Sequence, residues 1–190
     1  MRGFRKTILI PVAFLLLVIS LTVTGRESDL SIYRDKDFGY QMEYPTGWGV
    51  IEAKPRADNL ATWAGYILEE GELRKVTFRE RVDVIWPGEF QIVTLSNPRR
   101  LTFMEWVEKY DVMDIAGGSL IEKVEETTLG GEQAKRFAIF AFDHQGMEIA
   151  AMNQGLIYLL RFAGDNPNDP EMERHSEIYE HMVSSFRFTD

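Results

Sequence analysis

Residues 120–163 read LIEKVEETTLGGEQAKRFAIFAFDHQGMEIAAMNQGLIYLLRFA, and the fold turns on this stretch. It divides into four predicted strands, Leu120–Thr128, Gln133–Phe142, Met147–Asn153 and Leu156–Ala163. Turns are predicted at Gly130-Gly131, Gln145-Gly146 and Gln154-Gly155, where glycine permits the backbone conformations that tight hairpins need. Strands joined by such short turns run antiparallel, so the stretch is a meander. Tyr158 to Leu160 is apolar on consecutive residues, which predicts a strand covered on both faces.

Working outward, Ser31–Tyr44 holds two short alternating stretches around Asp37-Phe38-Gly39, ending at Tyr44-Pro45 and a Gly47-Trp48-Gly49 turn. Ala61–Glu69 and Arg74–Val82 are predicted to pair across Glu70-Gly71, and Phe90–Leu95 is a further strand stopped by Asn97-Pro98. A helix follows. Thr102 and Glu105 fit a capping box, and Leu101 with Trp106 fits a hydrophobic staple. Phe103, Trp106, Val107 and Tyr110 share one helical face and predict packing against a sheet. A second helix is predicted from Asp169 as cap and Pro170 as first helical residue, with Met172, Ile178, Tyr179, Met182 and Val183 as its apolar stripe. The fold class is therefore α+β, an antiparallel β-sheet flanked by helices.

The 190-residue chain has room for one domain behind its N-terminal segment. Hydrophobic residues make up 45% and aromatics 12%, enough to build a full core. Arg2, Arg5 and Lys6 precede an uncharged run from Thr7 to Gly25 centred on Phe14–Ile19. Positive charge before an apolar run keeps the N-terminus cytoplasmic and sends the body across the membrane. Residues 1–25 read as a signal peptide or an N-terminal membrane anchor, and 26–190 as the domain. The run is short for a membrane span and long for a signal core, while Val23 and Gly25 suit a peptidase site. Arg26 stands where a lipoprotein would carry its cysteine. The expected location is extracytoplasmic, with membrane attachment only through the N-terminal segment if it is not cleaved.

Residues 1–25 hold three cations and no acid, so the body carries a net charge of −12 against −9 for the whole chain. Such a body is repelled by phosphate backbones and makes nucleic acid a poor partner. The absence of cysteine excludes disulfides, thiolate metal sites and cysteine nucleophiles.

The order of elements, with Phe38-Gly39-Tyr40, Tyr44-Pro45-Thr46-Gly47-Trp48, Leu129-Gly130-Gly131 and Ala134, Tyr158-Leu159-Leu160 and Ser185-Phe186-Arg187-Phe188, resembles the PsbP-like family. That family includes the extrinsic subunit of the photosynthetic oxygen-evolving complex and bacterial exported proteins, and a Ran-binding nuclear transport factor shares its fold. The match spans about residues 31 to 190, and its motifs are structural. The resemblance implies an α/β/α sandwich serving as a binding or assembly module, with no catalytic residue to carry across. Nothing else in the chain points to photosynthesis, and fold by itself does not confer function.

Enzyme constellations are sparse. Gly117-Gly118-Ser119 lacks the closing glycine of a nucleophile elbow, and phosphate and dinucleotide loops are absent. Asp165-Asn166-Pro167-Asn168-Asp169 has proline at a calcium-ligand position, Pro170 in place of the loop glycine and Ser176 in place of the bidentate glutamate, so a capped helix start is the better account. Of the three histidines, His144 falls in a predicted hairpin turn. Glu171 with His175, and Glu177 with His181, are one helical turn apart and read as exposed acid–imidazole pairs; two ligands make a weak metal site. No metal and no cofactor is expected. Glu69-Glu70 and Glu125-Glu126 are adjacent on strands and project to opposite faces, so neither is a catalytic dyad by itself.

Lys75, Thr77, Arg79 and Arg81 share one strand face, opposite Val76, Phe78, Glu80 and Val82. Three cations on an acidic body suit a docking surface for a carboxylate or phosphate group on a partner; the alternative is pairing across the sheet with acids such as Glu69. Trp86, before Pro87-Gly88, is the tryptophan expected to be most exposed and a candidate anchor, while Trp106 is core by its helical spacing. The reading is an exported, non-enzymatic module acting on a protein or membrane-associated complex. A small-ligand or metal-binding protein stands second, and a hydrolase using converging carboxylates third.

Overall fold

The computed structural model describes residues 29–53, 71–81, 88–112, 120–141, 144–163 and 170–189. In chain order the elements are β1 (Leu30–Asp35), β2 (Tyr40–Pro45), β3 (Gly49–Ala53), β4 (Glu72–Arg79), β5 (Glu89–Ser96), α1 (Phe103–Val112), β6 (Leu120–Leu129), β7 (Glu132–Ala141), β8 (His144–Asn153), β9 (Leu156–Ala163), α2 (Met172–Ser185) and β10 (Arg187–Phe188). They form two antiparallel sheets. One has seven strands in the order β3-β4-β5-β9-β8-β7-β6, and the other has three in the order β1-β2-β10.

The meander forms the larger part of the long sheet, with turns at Gly130-Gly131 and Gln154-Gly155 as the sequence predicts. Gln145-Gly146 is not a turn: both residues lie in β8, where Gly146 pairs with Ile139 on one side and Ala163 on the other. The hydrogen-bond ladder simply continues past the glycine. Tyr158, Leu159 and Leu160 are all buried, as a strand covered on both faces requires.

Other differences are larger. The sequence reading has one sheet, whereas β1, β2 and the closing β10 form their own. The sequence pattern does not predict β3, because Gly49 at its start reads as a turn residue; the strand pairs with β4 from Gly49↔Arg79 to Ala53↔Lys75. The expected strand Ala61–Glu69 lies outside the described residues, as do the segment 1–25, Trp63, Trp86 and the 165–169 stretch. α2 starts after Glu171 with no side-chain cap, and Pro170 belongs to the preceding turn. The capping box of α1 does form. The Thr102 backbone N–H donates to Glu105 Oε2 at 2.7 Å, and the Glu105 N–H donates back to Thr102 Oγ1 at 3.3 Å.

Each face of the long sheet is buried by a different partner. Against one, Phe103, Trp106 and Val107 of α1 pack on Val93, Leu95, Phe137, Ile139, Ala150, Ile157 and Leu159. Against the other lies an aromatic core shared by β1, β2 and α2, including Tyr33, Tyr40, Trp48, Phe78, Phe90, Phe162, Tyr179 and Phe186. The picture of a sheet flanked by helices is thus realised in part: on this second face α2 shares the cover with the three-stranded sheet.

The residues that carried the family resemblance meet at one corner of this core. Tyr40 stacks on Phe186 at 5.4 Å, Phe188 meets Tyr158 edge-on at 4.9 Å, and the Tyr158 hydroxyl donates to the Phe38 carbonyl at 2.7 Å. Gly130, at φ 59°, lies so close to Phe188 that a Cβ would sit 2.8 Å from its ring. The closing strand therefore locks the first hairpin to the meander, and the motif glycine allows that approach.

Candidate functional site

Alternation along β4 sorts its polar residues into two sets. Arg74, Val76, Phe78 and Glu80 face the aromatic core, while Lys75, Thr77, Arg79 and Arg81 face the other way.

On the aromatic side, Arg74 is buried among three elements. Its Nε donates to Asp35 Oδ2 of β1 at 3.1 Å, and its Nη2 donates to Glu52 Oε2 of β3 at 2.6 Å and to the Tyr33 hydroxyl at 3.4 Å. Tyr33 in turn donates to Glu52 Oε1 at 2.9 Å. Asp35, 3% exposed, also braces the β1–β2 turn, where its Oδ1 accepts from the backbone N–H groups of Asp37 and Phe38 at 3.1 and 3.2 Å. Burial works to lower the Arg74 pKa, but Tyr33, Asp35 and Glu52 outweigh it and raise it. Burial pushes Tyr33 up to about 12, with Arg74 opposing and the two carboxylates adding. Tyr158 is also pushed up to about 12, by burial and then by Asp35.

A second cluster ties α2 to the end of β4. His175, 3% exposed, places Nε2 3.0 Å from Glu80 Oε2, and Arg174 Nη2 reaches Glu80 Oε1 at 2.5 Å. Burial works to raise the Glu80 carboxyl, but the hydrogen bonds from His175 and Arg174 outweigh it and hold it below the usual carboxylate range. Trp48 meets the His175 ring edge-on at 6.5 Å, and Tyr179 stacks on it at 6.1 Å. Gly88, at φ 90°, leaves room here, since a Cβ would lie 3.3 Å from both His175 Nε2 and Glu80 Oε2. The Glu80 N–H donates to the Gly88 carbonyl at 3.0 Å and closes the base of the segment between them.

The opposite face carries a polar stripe across four strands. Cross-strand register lines up Thr77, Gln91, Arg161 and Glu148, with Arg79 and Glu89 forming the neighbouring pair. Arg79 Nε donates to Glu89 Oε2 at 2.6 Å, the Gln91 amide donates to Glu89 Oε1, and Arg161 Nε lies 2.8 Å from Glu148 Oε1. Glu89 is 2% exposed, so its ion pair is a buried one.

The sequence-derived docking residues fall along this stripe unevenly. Lys75 and Thr77 are buried, Arg79 is paired with Glu89, and Arg81 is exposed; Trp86 lies outside the described residues. The row is a covered polar stripe at its Lys75 end and a surface only at its Arg81 end. An acid that answers Arg79 is Glu89, on the neighbouring strand β5; Glu69 lies outside the described residues.

The histidine expectations change. His175 is buried rather than exposed and pairs with Glu80, while Glu171 pairs with Arg174 at 2.5 Å. His181 is exposed, and its partner is Glu43 of β2 at 3.0 Å rather than Glu177. Among the described residues, no group of three or more His, Asp or Glu is placed to hold a metal ion. Also among them, no helix is long and apolar enough to cross a membrane. The sequence reading missed Arg74, Asp35 and Glu52 as a cluster, and Glu80 with His175. Its signal was present: Arg74 and Glu80 fall on the apolar face of an alternating strand.

This architecture has a solved counterpart. The solution structure of cyanobacterial PsbP (CyanoP) from Synechocystis sp. PCC 6803 superposes with a TM-score of 0.56 at 14% identity, over 85% of this chain and 93% of that one. The fold is PsbP-like. Two other solved proteins are similar at lower scores. A crystal structure from Bacteroides thetaiotaomicron gives a TM-score of 0.44 at 11% identity over 84% of this chain and 48% of that one. A Pseudomonas aeruginosa protein described as a putative regulator of unknown function gives 0.35 at 12% identity over 78% and 89%. No protein-family model matches the chain, and no curated protein matches it in sequence.

Proposed function

We propose that this chain is an exported module of PsbP-like fold that binds or assembles with a protein or membrane-associated complex outside the cytoplasm and performs no chemistry of its own. One observation carries the reading. Four buried or half-buried carboxylates of the kind that serve as acid or base are each closed on a cation: Asp35 on Arg74, Glu89 on Arg79, Glu148 on Arg161, and Glu80 on Arg174 and His175. A general acid or base needs access to substrate, and closed pairs of this kind do not favour it. They act as ties between strands, sheets and helix. The fold's likeness to cyanobacterial PsbP supports a binding role by analogy. The leading segment, positive and then apolar, supports export.

The proposed partner contact is the Arg81 end of the β4 row together with Trp86 on the following segment. A reporter active only in the cytoplasm, fused after Asp190, stays silent if the body is exported; a bright signal contradicts export. For binding, Arg81→Glu removes salt-sensitive co-isolation of the complex from the intact membrane fraction. Arg79→Glu lowers the melting temperature through Glu89. Retained co-isolation in the Arg81→Glu protein contradicts the docking assignment.

A further inference from the structure

Among the described residues β1 is an edge strand of the three-stranded sheet, and alternation puts Leu30, Ile32 and Arg34 on its outer face. Ile32 is 54% exposed and Leu30 45%, the two most exposed large apolar side chains among the described residues. A bare apolar pair on a short edge strand is unusual, since edges are commonly guarded by charge. One edge of the long sheet follows that rule. Its edge strand β6 carries Lys123, Glu125 and Glu126 around exposed Val124, with ion pairs Lys123–Glu125 and Lys135–Glu126 and a register shift between Ile121 and Lys123.

Two further facts indicate what faces β1. The first exposed charges after the apolar pair are cationic, Arg34 and Lys36, ahead of the acid Asp37, on a body whose net charge is strongly negative. The acid opposite Ile32 on the same face, Glu43, is already paired with His181. Apolar residues followed by cations match the boundary between acyl chains and phosphate headgroups. The second fact is distance along the chain. The apolar run of residues 7–25 ends five residues before Leu30. Five residues reach at most about 18 Å when fully extended. The polar headgroup layer on one side of a bilayer is roughly 5–8 Å deep. A chain inserted through residues 7–25 thus holds β1 at the membrane surface.

We propose that the outer face of β1, through Leu30, Ile32, Arg34 and Lys36, rests on the extracytoplasmic lipid surface. This orients the domain with β1 towards the membrane and the edge strand β6 away from it. The inference rests on retention of residues 7–25 as an anchor. A second copy of the chain is the other occupant such an edge could take, and the experiment separates the two.

The chain has no cysteine, so a single introduced one takes a spin label at a unique place. Full-length Leu16→Cys, Ile32→Cys and Val124→Cys proteins are labelled with a nitroxide and reconstituted in vesicles of phosphatidylcholine and phosphatidylglycerol. Collisions with oxygen and with a water-soluble nickel complex are then measured. The Leu16 label should be lipid-exposed, the Ile32 label should lose collisions with the nickel complex, and the Val124 label should keep them. Equal aqueous exposure at 32 and 124, with the Leu16 label in lipid, overturns the proposal and leaves the anchor standing. An aqueous Leu16 label overturns both. Spin–spin broadening at position 32 that grows with protein density in the vesicles assigns the edge to a second copy and also overturns the proposal.

Discussion

The two faces of the long sheet both pair arginine with a carboxylate, and they do so for different ends. Arg74 joins β1, β3 and β4, so its partners come from both sheets. Asp35, which answers it, also holds the β1–β2 turn through two backbone N–H groups. Arg79 and Arg161 pair with acids on neighbouring strands of their own sheet. The first arrangement is a tie between layers, over-determined by tertiary contacts. The second is a ladder within one layer, where hydrogen bonding of the backbone already fixes the strands. Burial alone does not tell a structural rivet from a replaceable pair; the origin of the partners does.

The two arrangements differ most at Arg74. Arg74→Met leaves Asp35 buried without its cation and should cost about 3–5 kcal/mol, read from denaturant unfolding. Adding Asp35→Leu should not restore it, because the turn N–H groups of Asp37 and Phe38 then lose their acceptor. On the other face, Arg79→Met should cost about 2 kcal/mol, since the Gln91 amide still donates to Glu89. Here the paired change Arg79→Gln with Glu89→Gln should recover most of the loss, because both charges go together. Recovery on the Arg74 side, or none on the Arg79 side, reverses the assignment of rivet and ladder.

A smaller effect belongs to Glu80. Its carboxyl is held below the usual range, so the stability it contributes is present above the ordinary carboxylate pKa and is lost as pH falls through the lowered one. Glu80→Gln should cost about 1–2 kcal/mol at pH 7 and flatten the acid limb of the melting profile. An unchanged acid limb would show that the tie between β4 and α2 does not depend on this charge. The smallest change is expected at Tyr40, whose buried hydroxyl has no hydrogen-bond partner among the described residues. Tyr40→Phe should leave the melting temperature level or raise it. A loss would show that the hydroxyl is satisfied after all.

Much of this fold was legible along the chain. The meander, the Thr102–Glu105 box and the doubly covered Tyr158–Leu160 strand are local patterns, set by turn chemistry, capping and periodicity within a few residues. What escaped is non-local. Nothing near β1 says that it pairs away from the long sheet; its partner β2 pairs with β10, and Tyr40 of β2 stacks on Phe186 at the far end of the chain. His175 reads as exposed from its helical neighbours, and its burial comes from Trp48, Tyr179 and Glu80. The candidate site was half visible. Alternation put Lys75, Thr77 and Arg79 on one face, but Glu89 as the acid for Arg79 required the β4–β5 register. Arg74 on an apolar face was the overlooked sign: a charge there must find a buried partner.

The most direct test of the two-layer account is native-state hydrogen exchange in the Arg74→Met protein, compared with the parent chain and with Arg79→Met. If Arg74 rivets the layers, amides of β1, β2 and β10 lose protection in Arg74→Met while β5, β8 and β9 keep most of theirs. Arg79→Met should lower protection without singling out the small sheet. Uniform loss across both sheets in Arg74→Met, or full retention in β1 and β2, would contradict the claim that this buried cluster holds the two sheets together.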